Sequence, residues 1–120
     1  MNTAIDQSPI LLDRYIQDRH RKGYAQSTLR LYRYYHAEFL RYLETHEELD
    51  DFKEIDRHMI SRFQEHLHGK RNGLSISTQR LIVIMLSQFF GWIQREGILF
   101  HNPTAGICLP RENEIENKGR

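Results

Sequence analysis

Apolar residues recur along this chain at intervals of three and four, and each such run is bracketed by residues that cap or break a helix. Ser8-Pro9 pairs an N-cap oxygen with a proline at a first helical position, where its missing N–H costs nothing. It predicts a first helix that runs to Gly23, a residue free to adopt the left-handed cap. Its stripe is Leu12, Tyr15 and Ile16, with Leu11 as a further candidate. Ser27-Thr28 predicts the cap of a second helix that ends near Thr45, with Leu29, Tyr32, Phe39, Leu40 and Leu43 on one face. Asp56 predicts the cap of a third, with Met59, Ile60, Phe63 and Leu67 inward and Gly69 as the stop. A turn, Lys70 to Gly73, leads to Ser77 as the cap of a fourth helix, Thr78 to about Arg95, stopped by Gly97. Ile82, Met85, Leu86, Phe89, Phe90 and Ile93 form its inner stripe. Ile84 lies opposite them, so this helix is either covered on two sides or shows an apolar spot to a neighbour.

Asn102-Pro103 begins a short turn or helix that Gly106 ends, and the polar tail Arg111 to Arg120 has no apolar period. No sustained alternation signals a strand, and no segment repeats. The expectation is an all-α fold of four main helices plus a short C-terminal helix or turn. Residues 1–7 read as an N-terminal extension, 8–110 as one helical domain and 111–120 as a linker or disordered end. At 120 residues the chain has room for a single modest core.

Charge changes this picture more than composition does. The formal net charge is only +1, but it is divided by segment. Tyr15 to Arg41 carries Arg19, Arg21, Lys22, Arg30, Arg33 and Arg41 against Asp18 and Glu38; Glu44 to Asp56 is strongly acidic; Arg57 to Arg80 turns basic again. One face can therefore hold a positive potential while the molecule stays near neutral, which suits a polyanion, although a solvated face gives the same pattern. Arg30, Arg33, Tyr34 and Arg41 project from the side of the second helix adjoining its apolar stripe.

Other chemistries find little support. The longest apolar run, Leu81 to Leu86, is six residues, and the first ten residues lack a basic region, so the reading is cytoplasmic, with no membrane partner. Cys108 is the one cysteine and has no partner for a disulfide. His66 and His68 point about 200° apart on a helix, and with His58 they make no metal site, so no cofactor and no metal are expected. There is no Gly-rich phosphate loop and no Ser/His/Asp arrangement. The six tyrosines lack the surrounding cations that a nucleophile needs; Tyr15 and Tyr32 read as core, and Tyr24, Tyr34, Tyr35 and Tyr42 as amphipathic surface. No catalytic residue is assigned.

Three stretches carry a family resemblance: Tyr24 to Tyr32 followed by Phe39 and Leu40, Leu74 to Thr78 followed by Leu86 and Phe89-Phe90, and Arg95 to Ile98 with Asn102-Pro103. In their order and spacing, over roughly Pro9 to Pro110, they resemble the SAM-like, core-binding domain of the phage integrase and Xer-type tyrosine recombinases. The resemblance implies a compact four-helix bundle forming half of a clamp around double-stranded DNA. The catalytic arginines, histidines and tyrosine would belong to a second domain for which this chain has no residues, so the chain itself is not expected to be an enzyme. The implied partners are DNA and, in the full-length protein, other recombinase protomers in a tetramer on paired sites.

In that family the second and fourth helices face the major groove, which coincides with the basic stripe. Ser27 and Thr28 would offer a helix start to a phosphate, a role compatible with simple capping. Arg30, Arg33, Tyr34 and Arg41 would extend along the duplex, and an arginine could read guanine O6 and N7. Ser77, Thr78, Gln79 and Arg80 open the fourth helix in the same way, with Gln79 chemically able to pair with adenine, while Lys70 and Arg71 would reach phosphates. The sequence departs from the family in carrying Leu81 and Ile82 where many relatives are basic. His36 stands where the family tends to be aliphatic, and is read as a satisfied core or boundary histidine. The competing reading is a helical protein-interaction module that docks a partner around Ile84, with the basic stripe as ordinary surface.

Overall fold

The computed structural model describes residues 3–49, 51–69 and 74–107, and the regular structure among them is entirely helical. Helices α1 (Thr3–Arg21), α2 (Gln26–His46), α3 (Arg57–His68) and α4 (Ile76–Arg95) are joined by short links, with a single 3₁₀ turn at Phe52–Glu54 before α3. The all-α expectation holds.

The helix ends show which local signals decided. Gly23 (φ 92°) and Gly97 (φ 79°) terminate α1 and α4 in left-handed conformation. At each, the glycine N–H and the next N–H reach back to the helix: Gly23 to the His20 carbonyl and Tyr24 to that of Arg19, Gly97 to that of Gln94 and Ile98 to that of Ile93. Asp56 caps α3 as predicted, its Oδ1 accepting the Met59 N–H at 3.0 Å.

Three starts differ. Helix α1 begins at Thr3 and runs through Pro9, which forfeits one intrahelical donor but keeps a helical φ. Helix α2 begins at Gln26 behind Ala25, whose extended backbone turns the chain straight out of the Gly23 cap, so Ser27 and Thr28 lie inside the first turn and not at the cap. In α4 the cap is Ser75 and not Ser77: Ser75 Oγ accepts the Thr78 N–H at 3.1 Å and is bonded to the Thr78 hydroxyl at 3.0 Å.

Tyr15 joins the elements. It is 1% exposed and lies edge-on to Phe89 and Trp92 of α4, with ring centroids 5.4 and 5.6 Å away, while stacking on Tyr32 of α2 at 6.3 Å. Phe39 of α2 meets Phe63 of α3 at 5.1 Å and Phe90 of α4 at 6.1 Å. Burying aromatic surface of this kind is the main source of stability in so small a core.

Helix α4 runs through the middle. By length and composition it would pass for a membrane span, yet half of that apolar window is buried within the bundle, which accounts for its apolarity. Val83 and Trp92, about 180° apart around the helix, are both buried, so α4 is covered on two sides and Ile84 is half-buried. Tyr42, expected at the surface, is 7% exposed, its ring between Phe63 and the His46 and His66 rings. Asn102 starts a turn, accepting the Thr104 N–H at 2.9 Å, and the chain continues through Gly106 without a fifth helix.

Candidate nucleic-acid interface

The packing of α2 sorts its side chains. Leu29, His36, Phe39 and Leu43 face inward, and Ser27, Arg30, Tyr34 and Arg41 fall on the opposite side, all exposed. At about 100° per residue these four lie within roughly 60° of one another, and at about 1.5 Å rise they form a ridge roughly 21 Å long. Tyr34 is 59% exposed, its ring edge-on to Tyr35 at 5.1 Å.

The ridge arginines differ in their attachments. Arg30 has no ion-pair partner among the described residues. Arg41 is held by Glu38 at 2.8 Å, one turn back on the same helix. Arg33 leans off the ridge towards α1, where its Nη1 meets Asp13 at 2.7 Å. The Arg33–Asp13 pair is exposed on both sides and so weak and exchangeable, whereas Arg41 meets a Glu38 side chain that is only 15% exposed.

The start of α4 offers less than the sequence suggested. Ser77 and Arg80 are exposed and Thr78 is half-buried beside its cap, but Gln79 is 4% exposed, with its amide nitrogen donating to the Leu74 carbonyl at 3.1 Å. Gln79 therefore props the α4 entry from inside and cannot present its amide to a base edge. It falls with the inner stripe because it lies three, four and seven residues before the buried Ile82, Val83 and Leu86, on the same helix face. Leu81, next to Arg80, is 39% exposed, and Ile82 is fully buried. Lys70 and Arg71 lie outside the described residues.

The strongly shifted tyrosines and histidine lie in the core and not on this surface. Burial pushes the Tyr15 phenol well above its ordinary range, and burial with the Glu47 carboxylate pushes Tyr42 up to about 12, whereas an attacking tyrosine needs the opposite shift. His36 is pushed down to about 4 by burial and is neutral at physiological pH. It is the expected core histidine, packed edge-on against Phe89 at 4.6 Å, but its Nε2 finds no hydrogen-bond partner among the described residues. Among the described residues no three His, Cys, Asp or Glu side chains group to hold a metal.

Sequence reasoning counted Arg19 as surface charge. Its guanidinium instead lies 4.9 Å from the Tyr15 ring centroid and 5.6 Å from that of Tyr24, so it is structural. The one signal available was the four-residue spacing from Tyr15 to Arg19.

Compared with known protein families, residues 11–98 match the N-terminal SAM-like domain of phage integrases, nearly the whole span from α1 to the end of α4. Comparison with curated proteins and with solved structures gives no match.

Proposed function

Because the chain belongs to the family of phage integrase N-terminal SAM-like domains, we propose that it binds duplex DNA through the outer side of α2 and the start of α4. The observation that carries this reading is the α2 ridge of Ser27, Arg30, Tyr34 and Arg41, polar and cationic along its whole length and set directly opposite the core. A rigid row of donors about 20 Å long can track a phosphate backbone, while the tyrosine adds a flat amphipathic contact. Arg33 joins after leaving Asp13; Ser77, Thr78 and Arg80 supply a second, shorter set, to which Lys70 and Arg71, between α3 and α4 in the sequence, would add phosphate contacts. With Gln79 turned inward and Leu81 beside Arg80, the contacts from α4 hold the backbone more than they read bases. Strand cleavage belongs to a separate catalytic domain, and the partners of the full-length protein are the DNA site and other recombinase protomers.

Fluorescence anisotropy of a labelled duplex, titrated at low and moderate salt, tests the reading. Affinity should fall linearly in log–log form with salt, with a slope of about 0.9 per phosphate neutralised. The Arg30→Ala/Arg33→Ala double variant should bind roughly tenfold more weakly. No binding at low salt would refute the proposal. A protein-contact role would then lead, since Phe100 is 92% exposed just beyond α4, whereas Ile84 is too covered to dock a partner.

A further inference from the structure

Between the last turns of α1 and the first turns of α2 lies an open groove of about 380 Å³, lined by Gln17, His20, Arg21, Gln26, Arg30 and Arg33. Ile16 and Leu29, both buried, also border it. Three arginines and a histidine thus line one concavity, and Gln17 and Gln26 add amide donors.

The carboxylates nearby neutralise it only in part. Asp13 is committed to Arg33 at 2.7 Å. Asp18 is shared by Arg19 at 3.3 Å, Lys22 at 3.3 Å and Arg21 at 3.7 Å, and Arg21 remains 71% exposed. Arg30 has no ion-pair partner among the described residues. The two helix ends act in opposite senses, the carbonyl end of α1 negative and the amide end of α2 positive, and local hydrogen bonds blunt the first. The terminal carbonyls of α1 are taken up by Lys22, Gly23 and Tyr24, while Ala25 gives the first amides of α2 no side-chain cap.

We infer that this groove is a phosphate-binding site, occupied by one backbone phosphate of the bound duplex. This rests on the DNA-binding reading and extends it. It brings α1 into the interface through Gln17, His20 and Arg21, which lie off the α2 ridge, with Arg30 common to both surfaces. A phosphate fits the donor set better than a carboxylate does, because the groove offers guanidinium forks from both helices and a phosphodiester presents oxygens in more than one direction. The contact carries no sequence information, so it sets register and contributes equally on every duplex.

The test is Arg21→Ala in the 120-residue chain, with Arg21→Lys beside it, on two duplexes of unrelated sequence. Arg21 is exposed and its pair with Asp18 is long, so helicity and thermal midpoint should not change. Affinity for both duplexes should fall by the same factor, roughly fivefold at low salt. The salt slope should drop by about one, and the lysine variant should recover most of the loss. Unchanged affinity and slope in Arg21→Ala, while the parent chain still binds duplex, would overturn the groove and leave the DNA-binding reading intact. Absence of duplex binding by the parent chain would remove both. Pyrophosphate titrated into the ¹⁵N-labelled chain separates the two sources of phosphate. Saturable micromolar binding that shifts Gln17, His20 and Arg21, without competition by duplex, would make this a small-anion site and refute the DNA assignment.

Discussion

Acidification should weaken this fold through one residue. His36 is buried between α2 and α4 with no partner for Nε2 among the described residues, and desolvation lowers its pKa from an ordinary 6.5 to about 4. In the unfolded chain the same imidazole takes up a proton near pH 6.5, so between about pH 6.5 and 4 the unfolded state binds a proton that the native state refuses. The contribution of this group is therefore constant above the unfolded value and declines as pH falls through that window, by up to about 1.4 kcal/mol per pH unit. Between pH 7.5 and pH 5 the loss from His36 alone comes to about 2 kcal/mol. That is a large part of the stability of a domain this size. Urea unfolding followed through Trp92 fluorescence reads it as a midpoint shift of roughly 1.5 M, since m for such a domain is about 1 to 1.5 kcal/mol per M. Other groups also titrate, so the measurement is made against His36→Leu, which keeps an apolar side chain at the site and removes both the proton and the orphaned Nε2. The variant should match or exceed the parent chain at pH 7.5 and lose about 2 kcal/mol less on going to pH 5. Parallel pH dependence in the two proteins would refute the reasoning, because His36 would then titrate as freely in the native state as in the unfolded one.

The remaining expectations concern the ends of helices and one ion pair. Asp56→Ala and Ser75→Ala each remove an oxygen that accepts a first-turn N–H and should cost about 1 kcal/mol in urea unfolding, additively because the caps belong to different helices. Gly97→Ala should cost about 1 kcal/mol from backbone strain alone: its φ is 79°, and an added Cβ would meet nothing within 4 Å. Glu47 accepts two hydrogen bonds from Arg62 at 2.9 Å and one from the Tyr42 hydroxyl at 3.0 Å, and Arg62 chiefly holds its carboxyl below the usual range. That stabilisation is present above the ordinary carboxylate pKa and is lost as pH falls through the lowered one. Glu47→Gln should thus lower the thermal midpoint at pH 7 and flatten the decline below about pH 4.

The fold was largely legible because a helix of this length declares its buried face by period alone. Leu12, Tyr15, Leu29, Phe39, Leu43, Ile60, Phe63, Ile82, Leu86 and Phe90 were all expected inward and are all buried. Stops were legible for a related reason: Gly23 and Gly97 solve a backbone problem that few other residues solve. Apart from Asp56 at α3, starts were not, because capping chemistry is degenerate. Ser75 and Ser77 are equally good caps on paper, whereas the inward face of Gln79 was already given by its spacing to Ile82, Val83 and Leu86. Ala25 carries no cap signal at all, and the start of α2 behind it is set by the turn that leaves Gly23. Tyr42 was misjudged because its burial depends on the rings of α3, His66 and Phe63, which no local pattern in α2 announces.

The same limit governs the electrostatics. A tally of cations over Tyr15 to Arg41 assigns equal weight to each, but tertiary contacts grade them. Arg19 is spent against two tyrosine rings, Arg41 is tied to Glu38 and Arg33 to Asp13, and Arg30 has no ion-pair partner among the described residues. An arginine that must leave a carboxylate to meet a phosphate exchanges one ion pair for another, so it adds less affinity than a free one and releases fewer counterions. The salt dependence of any duplex complex should therefore fall short of the number of basic residues in the segment. Arg30, which belongs to both the α2 ridge and the α1–α2 groove, is the side chain whose loss should matter most.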